Sequence, residues 1–326
     1  MKLLNREDIK RIFTMEDAIE SDKLAFSIHS DNKDISPLRT NIQSKSENGS
    51  IIFMPGYVDA IGAAGLKIVS VFSENAKRGL PSTPGTVLLV DDKTGVVSCI
   101  LDGTYVTELR TGAAAGAAIS ILARKESKVG ALIGTGGQAE SQFDAMVTAA
   151  KNLEEIRVFS ATKEKRDKFA EKMGTKYNNI KVFSVDSSDL AVEGADIITL
   201  VTTSTKPVIN GDKIKKGATI CGVGAYMPTM CEIDNKTLMK ADKIYFDSKS
   251  AVLAEAGCFI NALANGEITE KNFTGEIGEV INGKVKSRES DDEIIVFKTV
   301  GFSTQDVVTA KAIYDKALEN SVGYDW

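Results

Sequence analysis

The chain has 326 residues, 43% of them hydrophobic and 26% charged, and a net charge of −5. That length exceeds what one hydrophobic core usually serves, so two domains are expected, and the composition excludes the disordered and fibrous classes. The acidic balance without a basic cluster argues against a nucleic-acid surface, and one histidine with four scattered cysteines argues against a metal centre or a disulfide framework.

The start, MKLLNREDIKRIF, is too charged for the core of a secretory signal, and no apolar run reaches bilayer-spanning length. A cytoplasmic protein with no membrane partner is the expectation. TMEDAIESDKLAFSIHS predicts a helix with Thr14 as its N-cap. His29 falls in line there with Met15, Ile19, Asp22 and Phe26 and reads as a helix-end or packing residue. A Ser-His-Asp or Cys-His hydrolase would have to use it, which disfavours that class. Cys99, Cys221, Cys231 and Cys258 read as reduced packing residues.

Short strands over 41–46, 50–55, 65–72, 86–91 and 96–101, separated by turns such as Asn48-Gly49 and Lys93-Thr94-Gly95, predict an antiparallel sheet. LRTGAAAGAAISILA then predicts a helix of small residues suited to close packing. From Lys128 strands alternate with helices: VGALIG, a helix over 138–151, IRVFS, a helix over 163–173, IKVFSV, DIITLVTT, ATICGVG and KIYFDS. Apolar strands alternating with helices mean a doubly wound parallel sheet. After Glu293 the chain returns through IIVFKTVGF to a final helix over about 304–320.

ALIGTGGQAE places Gly134, Gly136 and Ala139 as G-x-G-x-x-A directly after a strand and before a helix, the context that dinucleotide binding requires. Gly134 makes the tight turn, Gly136 lets backbone approach the pyrophosphate, and the helix N-terminus supplies donors. The alternative is a glycine-rich turn of an unrelated α/β domain. The following strand ends at Phe159-Ser160, where an NAD enzyme usually offers an acid to the ribose 2′-hydroxyl. Ser160, Thr162, Lys163, Lys165 and Arg166 stand there instead, which favours a 2′-phosphate, hence NADP(H), with NAD(H) the alternative. Each lysine alone could equally be part of a solvated helix face.

Lys67 is the only charged residue between Ile61 and Ser73. Held in an apolar strand it would be desolvated, with a lowered pKa and the ability to exchange a proton near neutrality; at a strand end it would snorkel to water instead. Arg110, opening the small-residue helix, and Arg39, in ISPLRTN, are suited to a carboxylate or phosphate. Alone, Arg39 would be read as a surface arginine. Together these features suggest hydride transfer at the Cα of a small amino, imino or keto acid.

The chain resembles the ornithine cyclodeaminase/mu-crystallin family over essentially its whole length. The residues that carry the likeness are FMPGYV, GLKIVSVFSEN, GLPST, LDGTYVTELRTGAAAGAA, IGTGGQAESQ, GVGAYMPTMCEID and FKTVGFSTQD. The resemblance implies an α/β protein: a Rossmann-type doubly wound parallel sheet, residues 125–302, inserted into an α+β substrate and dimerisation domain, residues 1–124 plus 303–326, as a homodimer. By position, it implies that Arg39, Lys67 and Arg110 hold the substrate carboxylate and assist chemistry at Cα. Ser82, Arg110, Thr111, Gly134, Thr135, Gly136, Gly137, Gln138, Ala139, Ser160, Ala161, Thr162, Lys163, Thr202, Thr203, Val223, Gly224 and Ala225 correspond to cofactor contacts. Ornithine cyclodeaminases carry an acid/base aspartate two residues before the proline of GAYMP; here Tyr226 stands at that place, beside Lys67 in the catalytic set.

A phenol of pKa near ~10 is a poor base at neutral pH, so the expected activity is NAD(P)H-dependent reduction of a small cyclic imino acid, such as Δ1-pyrroline-2-carboxylate or Δ1-piperideine-2-carboxylate. The alternatives are ornithine cyclodeamination, an alanine dehydrogenase-like reaction and, least favoured, a ligand-binding homologue without turnover.

Overall fold

The computed structural model describes residues 1–47 and 49–326. Asn48, half of the expected Asn48-Gly49 turn, lies outside the described residues. The chain separates into two compact units, Met1–Arg110 with Gly301–Trp326, and Thr111–Val300. The division falls inside the small-residue helix rather than after it, where the change of pattern near residue 125 would put it.

The first unit opens with β1 (Lys2–Leu4), α1 (Arg6–Ile12) and α2 (Met15–Ser30). Thr14 caps α2 as its spacing foretells: its hydroxyl accepts the Asp17 N–H, and the Asp17 carboxylate accepts the Thr14 N–H in return. Then come β2 (Thr40–Ser44), β3 (Gly49–Val58), β4 (Ala63–Val71), β5 (Gly85–Asp91) and β6 (Val97–Asp102). These five pair antiparallel in chain order. Along β4 burial alternates, with Ala63, Gly65, Lys67 and Val69 turned inward and Leu66, Ile68 and Ser70 half-exposed. α3 (Gly103–Leu122) follows and crosses the division; Ala113, Ala114, Ala115, Ala117 and Ala118 along it are fully buried.

The second unit holds β7 (Val129–Ile133), α4 (Ala139–Ala149), β8 (Glu155–Phe159), α5 (Lys163–Lys176), β9 (Lys181–Ser184), α6 (Ser188–Val192), β10 (Ile197–Leu200) and β11 (Thr219–Gly222). It continues through α7 (Asn235–Lys240), β12 (Lys243–Phe246), α8 (Lys249–Glu255), α9 (Gly257–Ala264), β13 (Gly275–Glu276), α10 (Ile277–Ile281) and β14 (Ile295–Lys298). The strands form one sheet in the order β13-β12-β14-β11-β10-β7-β8-β9, with every pairing parallel. β7 lies between β8 and β10, so the order reverses at its carboxyl end, the place where such sheets bind ligands. β7, β10, β11 and β14 are mostly apolar and almost wholly buried, as strands covered on both faces must be.

The chain returns to the first unit with α11 (Ser303–Glu319) and β15 (Tyr324–Asp325). β1, which the sequence reading did not anticipate, joins that sheet in parallel beside β6, with β15 antiparallel on its other side. α11 packs on α2 and on β3, β4 and β5, burying Val307, Val308, Ala310, Ile313 and Ala317. Each such branched side chain contributes about 1.5–3 kcal/mol, and the small alanines let the backbones approach. The same helix also buries Thr304, Gln305, Asp306 and Thr309, and three of these four polar groups meet partners in the same unit. Gln305 donates to Asp22 at 3.0 Å, Thr304 to Asp34, and Asp306 accepts from two cations. His29 behaves as a packing residue: its ring stacks on Phe302 at 4.2 Å and Nδ1 lies 3.0 Å from Asp34.

Candidate active site

In the first unit, the register of β4 turns Lys67 into the core between Met54 of β3 and Val87 of β5. Its side chain has no exposed surface, which overturns the snorkelling alternative. Nζ donates to Asp306 Oδ1 at 2.8 Å and lies 2.7 Å from Oδ2. Arg110, almost fully buried on α3, donates through Nε to the same Oδ1 at 3.1 Å. Arg39, half-buried before β2, donates through a terminal nitrogen to the Gly301 carbonyl at 2.6 Å. The three cations named from the sequence therefore meet around one short segment, Gly301 to Asp306.

Gly301 is in the left-handed region at φ 77°, and a Cβ there would fall on the terminal nitrogens of Arg110. Only glycine supplies both the turn and the space. Burial and the neighbouring Arg110 charge lower the Lys67 pKa to about 7, and Asp306 opposes them by favouring the ammonium form. Asp306 and Gly301 escaped the sequence reading, although FKTVGFSTQD contains both. The available signal was an acid within the otherwise uncharged run TVGFSTQDVVTA.

In the second unit, the glycine loop follows β7 directly. Gly134, at φ 112°, takes a backbone bond from its N–H to the Phe159 carbonyl at 2.8 Å, and a Cβ on it would stand 2.5 Å from the Val201 carbonyl. Gly136 and Gly137 are exposed, with nothing within 4 Å of where a Cβ would stand. Gln138 and Ala139 lead into α4, so the loop N–H groups end at a helix N-terminus. This geometry fits a pyrophosphate, which needs unobstructed backbone. Thr111, at the start of this unit, gives its carbonyl to Gln142 Nε2 of α4 at 2.8 Å.

Thr135 and Ser160 hydrogen-bond through their hydroxyls at 3.0 Å, joining the loop to the end of β8. Ala161, Thr162, Lys163 and Lys165 are exposed around the start of α5. Arg166 differs from the expectation. It is buried, its guanidinium donating to the Ser160 carbonyl at 3.1 Å and to Asp186 at 2.6 Å, so it braces the strand end instead of waiting for a phosphate.

After β10 and β11 come the segments with Thr202, Thr203, Val223, Gly224 and Ala225. Glu232 ties the two together, accepting the Thr202 N–H at 2.6 Å on one oxygen and the Ala225 N–H at 2.9 Å on the other. Burial raises the Glu232 pKa against the opposing charge of Lys298, itself buried on β14 with its own pKa lowered by burial. Glu232 was not singled out from the sequence, although it lies in GVGAYMPTMCEID. Tyr226 follows at the carboxyl edge of the sheet, half-buried and packed against the apolar core of this unit. The Glu232 N–H reaches Cys258 Sγ at 3.1 Å, and the half-buried Cys231 donates through Sγ to the Ile233 carbonyl at 3.4 Å. Ser82 lies apart from these residues in sequence and unit, exposed in the segment before β5.

A Δ1-pyrroline-2-carboxylate reductase of Bacillus cereus is 34% identical to this chain, over 99% of this chain and 98% of that protein. Among solved structures, Thermococcus litoralis Δ1-pyrroline-2-carboxylate reductase in complex with NADH and L-proline matches at a TM-score of 0.95 with 39% identity, covering 100% of both chains. An archaeal alanine dehydrogenase dimer with bound NAD matches at a TM-score of 0.91 with 31% identity, covering 99% of this chain and 98% of the other. These likenesses run from end to end, and the matching family pattern extends over residues 1–321: the chain belongs to the ornithine cyclodeaminase/mu-crystallin family.

Proposed function

We propose that this protein is an NAD(P)H-dependent reductase of a small cyclic imino acid, a five- or six-membered ring with its C=N carbon bearing the carboxylate. The observation that carries this reading is Lys67, a fully buried amine whose pKa of about 7 lets it give up a proton near neutrality. Arg39 and Arg110 hold the carboxylate, and Lys67 gives its proton to the ring nitrogen, later regaining one from solvent. The nicotinamide, when bound, supplies the hydride that the C=N carbon receives. One hydride and one proton convert the imine to the amine, so no carboxylate base is needed where Tyr226 stands. The reductases of Bacillus cereus and Thermococcus litoralis support the substrate class.

In this reading the second unit binds the cofactor and the first binds substrate and forms a homodimer. The hydroxyls of Ser160 and Thr162 and the exposed Lys163 and Lys165 favour NADP(H), with NAD(H) as the alternative; Arg166 is already engaged and adds nothing to a phosphate site. We propose the cytosol as the site of the reaction, where cysteines such as the four free ones here stay reduced.

The test follows NADPH and NADH consumption with Δ1-pyrroline-2-carboxylate, Δ1-piperideine-2-carboxylate and pyruvate plus ammonium, alongside ammonia release from L-ornithine. Fast turnover of a cyclic imine with preference for NADPH is expected. Turnover of pyruvate and ammonium alone would favour the alanine dehydrogenase reading, to which the archaeal structure lends weight. Proline and ammonia from ornithine without net cofactor use would sink the reductase.

A further inference from the structure

We propose that Asp306 is a positioning residue for this reduction: its carboxylate holds the Lys67 ammonium in place as proton donor and turns the Arg110 guanidinium so that its terminal nitrogens are left for the substrate carboxylate. The inference rests on the proposed reductase chemistry and adds a residue to it. Asp306 is 1% exposed, and its two oxygens face Lys67 Nζ at 2.8 and 2.7 Å, while Oδ1 also takes Arg110 Nε at 3.1 Å. A guanidinium bonded through Nε keeps the four N–H groups of its terminal nitrogens, the pair-wise donors that match a carboxylate. Gly301, with no side chain, leaves those nitrogens their room, and its carbonyl fixes Arg39 at 2.6 Å.

The charged groups facing Lys67 are Arg110 from α3, Arg39 from the segment before β2, and Asp306 from α11. Three cations gathered in a dry site would drive the lysine proton off. Asp306 is the one opposing charge in that set, so it keeps an ammonium present where the imine nitrogen needs its proton. When Lys67 delivers that proton, the ammonium–carboxylate pair becomes an amine–carboxylate pair, and uptake of a proton from solvent restores it.

A purely structural ion pair tying α11 to β4 would have the same distances, so the test must read the proton. Asp306→Asn removes the charge at nearly constant volume. The alkaline limb of kcat/KM for Δ1-pyrroline-2-carboxylate reduction is expected to move to lower pH by about 1–3 units, a relative loss of roughly 10- to 1000-fold above the limb. Asp306→Glu is expected to restore the position of the limb while leaving the low-pH rate at least tenfold below the original, because charge returns without the geometry. Lys67 titration is followed separately by 13Cε-lysine NMR, with Lys67→Met to assign its resonance. Its midpoint should fall in Asp306→Asn. If the unaltered enzyme reduces no cyclic imine, the reductase reading fails, and the NMR midpoint still judges Asp306. An unmoved limb and midpoint in Asp306→Asn overturn the proposal, as does an Asp306→Glu enzyme with undiminished rate, which also decides the matter should Asp306→Asn not fold.

Discussion

Lys67 was legible as a buried lysine because no other charge occurs between Ile61 and Ser73, and the alternation of β4 turns it inward with Gly65 and Val69. Its partner was not legible. Asp306 lies 239 positions away, and no local period links a strand residue to an acid on the last helix. Breaking a buried ion pair by removing one member costs about 3–5 kcal/mol, since the other charge stays dry and unpaired. Lys67→Ala therefore leaves Asp306 with Arg110 alone, and some stability should go with it. The larger effect is on catalysis: loss of the proposed proton donor should lower kcat by roughly 10²–10⁴-fold. Nucleotide affinity, measured by fluorescence titration, should stay within a few-fold, because the glycine loop belongs to the other unit. A Lys67→Ala enzyme with normal turnover would remove this side chain from the mechanism.

At the scale of elements, the glycine loop separates two roles that a motif alone merges. Gly134 is required by the fold itself: its φ of 112° and the Val201 carbonyl 2.5 Å from a would-be Cβ make Gly134→Ala a strained substitution, expected to cost about 1–3 kcal/mol and to lower Tm. Gly136 has open space before it, so Gly136→Ala should fold with an unchanged Tm yet bind NADPH at least tenfold more weakly, as crowding of the pyrophosphate requires. A Gly136→Ala protein with full nucleotide affinity would show that the phosphates lie elsewhere. Most of the parallel strands were readable as apolar runs in a stretch that alternates with helices, although β13, only Gly275 and Glu276, was not. β1 and β15 were not, since three and two residues carry no period and their pairing joins opposite ends of the chain. Glu232 was hidden for a different reason from Asp306. It acts on backbone N–H groups, and these leave no mark in a sequence.

Over the whole molecule, the sheet of the first unit has two unlike faces. One is covered by α11. Across the other runs a row set by the strand register, Pro55 beside Leu66, Leu66 beside Leu88, Leu88 beside Ile100 and Ile100 beside Leu3, with each side chain at least partly exposed. A contiguous apolar strip of this kind is suited to association, and in the proposed homodimer a second copy of the chain would cover it. Light scattering should give a dimer for the natural chain and a monomer for Leu88→Lys, which puts a charge in the middle of the row. A Leu88→Lys protein that stays dimeric would move the interface elsewhere.

Arg110 and Gly301 are also the residues at which the first unit is left and re-entered, and the guanidinium of one occupies the space before the Cα of the other. The intervening 111–300 thus form an excursion whose points of departure and return are bridged by one side chain. To the first unit it is a closed loop, so its length could change by many residues at little entropic cost as long as the ends stayed fixed. A module could enter a chain this way without disturbing the sheet that hosts it. The point of departure carries Arg110, proposed above to hold the substrate carboxylate, so a recombination event at that spot would be judged by activity as well as by folding.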